Sequence, residues 1–100
     1  MVIGEVIGSV VATRKTTNMD GLPLRIVRVL KTDNTPTATY VVAVDLLNAA
    51  VGERVLLASG SPARQTKQTD ARPVDAIIMA IVDTWQIHNH TPFDRNVEVP

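Results

Sequence analysis

His88 and His90 stand two residues apart, a spacing that puts two imidazoles on one face of a strand and suits two ligands of a metal ion. A tetrahedral site needs more donors than two, and no third ligand stands near them in the chain. They read as polar residues where a last strand ends. Ser61 lies in Ser59-Gly60-Ser61-Pro62, which is not the Gly-x-Ser-x-Gly turn that exposes a nucleophilic serine, and no histidine adjoins it. Its chemistry suits a helix start: serine caps free N–H groups, and proline at the first helical position lacks only a donor that had no partner. Asp45, Asp75 and Asp83 are the candidates for an acid pair, yet each falls at a strand end, where a carboxylate more often accepts from turn backbone. With no glycine-rich phosphate loop either, the chain reads as no enzyme, with no cofactor and no metal.

Composition narrows the classes further. One hundred residues make one domain, able to bury roughly two thirds of the surface its unfolded chain exposes. Ten basic residues balance ten acidic ones, so no net field draws the chain onto nucleic acid or an anionic membrane. The lack of cysteine excludes disulfides and thiolate metal sites and fits a reducing cytosol. No apolar run approaches the length that spans a bilayer, and residues 1–13 lack a basic leader, so the chain reads as soluble and unprocessed. The hydrophobic content is high, but Tyr40, Trp85 and Phe93 are the only aromatics, so the core must be built from branched aliphatics and alanine, which in short runs favour strands.

Taken in order, Val2 to Thr13 reads as a strand bent at Gly4 and Gly8. A turn at Asn18-Met19-Asp20-Gly21 leads to a second strand, Leu24 to Lys31, and Thr32-Asp33-Asn34-Thr35-Pro36 turns into a third, Thr39 to Val44. Asp45 to Gly52 is a loop, Arg54 to Ser59 the fourth strand, Pro62 to Gln65 about one helical turn, and Ala76 to Ile87 the fifth strand. Residues 89–100 form a tail, docked or mobile, behind a single domain over residues 1–88. Five short strands and one short helix predict an all-β, OB-like small barrel, with a five-stranded sandwich as the alternative that periodicity leaves open. The second and fifth strands are partly apolar on both faces, and Ala76 and Ala80 permit close approach of another backbone, so a neighbouring chain is expected to cover the outside.

Two binding classes remain. OB-like barrels often take single-stranded nucleic acid, through a basic groove and exposed aromatics on which bases stack. Here Arg14, Lys15, Arg25, Arg28, Lys31, Arg64, Lys67 and Arg72 are interleaved with acids, and three aromatics are too few for a platform. The other class is a self-associating structural module, in which Arg64 and Arg72 beside Asp75 and Asp83 would supply charge-assisted bonds across a subunit boundary.

Three motifs decide between them. Gly60-Ser61-Pro62-Ala63-Arg64, Arg72-Pro73-Val74-Asp75 and Ala80-Ile81-Val82-Asp83 follow one another in an order that resembles the signature of the pentameric vertex proteins of bacterial microcompartments, the carboxysome and ethanolamine-utilisation type. The resemblance extends to Val10–Lys15, to Gly21 with Leu22 and Leu24, to Val44-Asp45, and to Gly52-Glu53 with Val55-Leu56-Leu57, covering about residues 1–88. It implies a five-stranded barrel with one short helix, assembled as a homopentamer that caps the vertices of a polyhedral shell tiled by hexameric shell proteins in the bacterial cytoplasm. It further implies that Gly60, Ser61, Pro62, Ala63 and Arg64 lie at subunit contacts around the axis, that Arg72, Pro73 and Asp75 brace the following strand, and that Asp83 fixes its far end. Two departures stand out. Asn48-Ala49-Ala50 replaces a Gly-Ala-Gly run, which puts positive φ at Ala50 in question, and Pro62 stands where serine is common.

Overall fold

The computed structural model describes residues 1–12, 21–60, 63 and 75–96. Its strands are β1 (Val2–Val10), β2 (Leu24–Leu30), β3 (Pro36–Asp45), β4 (Arg54–Ser59), β5 (Ala76–Ile81), β6 (Thr84–Ile87) and β7 (His90–Asp94). The first five close into a barrel in the order β1-β2-β3-β5-β4, and β6 with β7 forms a separate hairpin. All barrel pairings are antiparallel except β3 with β5, which meet in parallel over Val44↔Ile77 and Asp45↔Ile78. Closure removes the free edges that an open sheet of this size would expose to other chains.

The bend expected in the first strand is present as a register shift between Val6 and Gly8, and the strand stops at Val10. The third strand begins earlier than the β-branched run suggested. Pro36 is tolerated as its first residue and pairs with Leu30, and the Thr37 hydroxyl donates to the Val29 carbonyl at 2.7 Å. Between these strands Asn34 takes left-handed backbone (φ 71°), and the Thr35 hydroxyl and N–H both donate to Asp33, holding its carboxyl below the usual carboxylate range.

The largest difference lies in the fifth strand. The apolar run Ala76 to Ile87 is not one strand, because the chain changes partner at Val82-Asp83. Val82 donates its N–H to the Arg54 carbonyl as the last contact with β4, and the Asp83 carbonyl then accepts from Arg95. Thr84 and Trp85 pair with Asp94 and Phe93, so much of the C-terminal stretch is a strand docked on the barrel.

Two apolar clusters result. Val6, Val27, Ala43, Val55, Leu57 and Ile78 fill the barrel interior, where no aromatic side chain takes part. The second cluster lies outside the barrel wall: Val44, Ala58 and Ile77 are covered by Leu22 and Ala63 of the same chain. Part of the two-faced apolar pattern is therefore satisfied within one molecule. Gly4 shows how tightly the interior is filled, since a Cβ there would overlap Cγ1 of Val27 and stand 3.1 Å from the Arg28 carbonyl. Gly4→Ala should lower stability by about 1–3 kcal/mol through overpacking, read from the denaturation midpoint at fixed chain concentration.

Candidate assembly surface

The end of the barrel where β3 leaves for β4 is organised by one carboxylate. Asp45 is 1% exposed, and its oxygens accept from the Leu47 N–H (3.0 Å), the Ala49 N–H (2.8 Å) and the Arg25 Nε (3.1 Å). Arg25 reaches on to the Ser9 hydroxyl at 2.9 Å, so strands β1, β2 and β3 are joined at this end by two side chains. The loop beyond answers the question raised by Asn48-Ala49-Ala50: Asn48 carries the left-handed conformation (φ 56°), Ala49 is buried in the core, and among non-glycine residues Ala50 is not one with positive φ. Asn tolerates that backbone where alanine does not. Gly52 (φ 95°) closes the loop, its N–H on the Val6 carbonyl at 2.8 Å. Asp45→Ala would strand Arg25 and free two loop N–H groups, with an expected loss of about 3 kcal/mol in chemical denaturation.

Of the motif residues, Gly60, Ala63, Asp75 and Asp83 are described, while Ser61, Pro62, Arg64, Arg72 and Pro73 lie outside the described residues. So does the helical turn expected at Pro62–Gln65, apart from Ala63, and among the described residues there is no α-helix. Gly60 and Asp75 meet: Gly60 takes φ 69° and donates its N–H to the Asp75 carbonyl at 2.8 Å, just beyond the register pair Ser59↔Ala76. Ala63 then donates to the Gly60 carbonyl at 3.1 Å and is fully buried. The first two motifs thus begin and end at one point, where β4 and β5 part. Asp83 is at the opposite end of β5. Its carboxylate accepts from Arg95 at 3.0 Å, and Arg95 also pairs with Glu53 at 3.2 Å; these two carboxylates, Asp83 first, raise the Arg95 pKa above its ordinary value.

Arg95 had no signal in the sequence, and neither did Arg54, which does more. Its Nε donates to Asn34 Oδ1 at 2.9 Å, another nitrogen donates to the Gly52 carbonyl at 2.8 Å and lies 3.4 Å from Glu5, and the guanidinium sits over the Phe93 ring at 4.8 Å. Phe93 stacks on Trp85 with centroids 5.5 Å apart, and the Trp85 indole N–H donates to the Thr32 carbonyl at 2.7 Å. Two of the three aromatics are therefore spent on docking the hairpin, and the third, Tyr40, lies under Arg28. That leaves no stacking platform for bases. His88 and His90 flank the tip of the β6–β7 hairpin, His88 in left-handed backbone (φ 55°), rather than sharing a strand face. Among the described residues no three His, Cys, Asp or Glu side chains gather as metal ligands.

A barrel of this topology carrying this spacing of motifs can be compared with known families. The EutN/carboxysome family model, described as ethanolamine utilisation protein EutN/carboxysome, matches residues 1–83. This chain belongs to the EutN/carboxysome family. Within it, the carboxysome shell vertex protein CcmL of Synechocystis sp. is 37% identical over 95 residues, 95% of each chain. The solved CcmL of Gloeobacter violaceus superposes with a TM-score of 0.93 at 34% identity, covering 97% of this chain and all of that one (100%). GrpN of Rhodospirillum rubrum, solved as a pentameric microcompartment shell protein, gives a TM-score of 0.80 at 37% identity over 87% of this chain and 99% of its own.

The hairpin's attachment is testable in isolation from the barrel. Arg54→Ala removes the cation over Phe93 and the bond to Asn34, and should speed amide exchange in Thr84–Ile87 and His90–Asp94 several-fold while strands β1 to β3 keep their protection. Hydrogen exchange read by mass spectrometry resolves the two regions.

Proposed function

We propose that this protein is a structural shell protein of a bacterial microcompartment, and that five copies close into a ring that caps a shell vertex. The observation that carries the reading is the family match over residues 1–83 together with near-complete superposition on a shell vertex protein. The mechanism is geometric. A flat hexagonal tiling cannot close on itself, and five-fold units supply the curvature that closes it. A heterologous contact repeated by a closing rotation makes a ring and leaves no sticky face over. The rim of the ring would present its edges to hexameric shell proteins on the cytoplasmic facets. The motif residues take roles in this assembly: Gly60 to Arg64 at the contacts nearest the axis, Arg72, Pro73 and Asp75 bracing the start of β5, and Asp83 holding its far end.

Light scattering on a sizing column tests the ring. Five chains of 10.8 kDa predict about 54 kDa, constant on dilution. A 10.8 kDa species would refute it. Arg64→Ala should make the assembly dissociate on dilution where the wild type does not, and an unchanged pentamer would remove Arg64 from the contact.

A further inference from the structure

We infer that the barrel opens along the seam between β3 and β5, and that Leu22 and Ala63 form a clasp over this seam, so that the turn carrying Gly60 and Ala63 controls whether it is shut. The inference stands on the fold of one chain and goes beyond the ring reading.

This seam is the shortest join in the barrel. Among the described residues β3 and β5 pair only through Val44↔Ile77 and Asp45↔Ile78, and they pair in parallel, the slightly less stable geometry per residue. The other joins run longer: Gly4 to Val10 of β1 against β2, Leu24 to Leu30 of β2 against β3, Val2 to Glu5 of β1 against β4, and Val55 to Ser59 of β4 against β5. Past the two seam pairs, Pro36–Ala43 of β3 and Met79–Ile81 of β5 have no strand partner on the seam side among the described residues. A barrel opens first where the fewest backbone bonds must break.

Val44 and Ile77 form the seam pair outside the interior cluster, yet they are 0% and 1% exposed. What covers them is Leu22 and Ala63, and these come from opposite sides: Leu22 precedes β2, the neighbour of β3, and Ala63 follows β4, the neighbour of β5. Each arm is fixed by backbone bonds beside the seam. Asp45, itself a seam residue, donates its N–H to the Pro23 carbonyl at 2.9 Å, which seats Leu22. On the other side Gly60 donates to the Asp75 carbonyl at 2.8 Å, one residue before β5, and Ala63 donates to the Gly60 carbonyl at 3.1 Å.

Neither Leu22 nor Ala63 belongs to a strand, so either can leave the seam without breaking a ladder bond. Lifting one exposes Val44 and Ile77 to water and leaves two slanted pairs to hold β3 to β5. Ala63 hangs from Gly60, so a displacement of that turn reaches the seam with no change among the interior residues Val6, Val27 and Val55. One short join beneath a movable cover gives the barrel a minor open state distinct from global unfolding.

Amide exchange of the whole chain, read residue by residue by NMR, tests the device. The amides that β3 and β5 turn toward each other at Val44–Asp45 and Ile77–Ile78 should exchange about tenfold faster than those joining β1 to β2 around Val6↔Val27, and with a weaker dependence on denaturant, the mark of local opening. Leu22→Ala should widen that gap about tenfold further by removing one arm. Ala63→Gly, which acts from the turn, should widen it several-fold, and it keeps the test alive if Leu22→Ala does not fold. A wild type in which the two sets of amides exchange alike overturns the seam. Variants that speed both sets equally overturn the clasp, because they then act through global stability alone. An effective Leu22→Ala beside an ineffective Ala63→Gly removes the turn from control. Each comparison is internal to one sample, so a wild type found to be monomeric refutes the ring reading and leaves this one to its own result.

Discussion

The pairing of Arg25 with Asp45 is the constraint on which the barrel's organisation turns. A carboxylate this deeply buried is tolerable only when its oxygens are fully engaged, and Asp45 meets that condition with one guanidinium and two backbone N–H groups. Those donors come from β2 and from the loop that follows β3. The same group therefore fixes the strand order at one end and the path of Leu47 to Ala49. That loop in turn delivers Gly52 and Glu53 to β1, where Gly52 donates to Val6 and Glu53 accepts from it. Closure of β1 onto β4 follows directly, because Arg54 begins β4 one residue later.

From this anchored end the structure divides its apolar residues by size. The interior has room for valine, leucine and isoleucine but none for a ring, and at Gly4 none for a methyl group. Aromatic residues are displaced outward, where they work as fasteners: Trp85 and Phe93 tie the hairpin down, and Tyr40 is clamped by Arg28. Arginines supply the complementary half of each fastening, since a planar cation can stack on a ring and donate at its edge at once. A chain with no net charge thus uses its charges locally, in pairs that join particular elements.

Much of this was legible in the residues. Gly21 marked a turn free to take positive φ, the branched runs marked β2, β3 and β4, and Asn48 marked a left-handed position through its tolerance for it. What could not be read was a change of partner within a continuous apolar run. Ala76 to Ile87 alternates as one strand would, and nothing local announces that Thr84 onward pairs with a tail which had looked polar and irregular. Periodicity reports which face of a strand is apolar and is silent about which neighbour it meets. The functional residues divide similarly. Gly60 and Asp75 were found through motif spacing, whereas Arg54 and Arg95 act through contacts between distant segments, and no spacing encodes those. The two-faced strands were visible, but the coverage of Val44, Ala58 and Ile77 by Leu22 and Ala63 arises only once the barrel has folded.

The filled interior carries a final consequence. A barrel packed with side chains to the density of an organic solid is a plug, with no bore along its own axis. In a ring of such plugs, any solute that crosses must pass between copies rather than through one. The same filling makes each copy a stiff wedge. A single added methyl inside one barrel would therefore be felt at its walls.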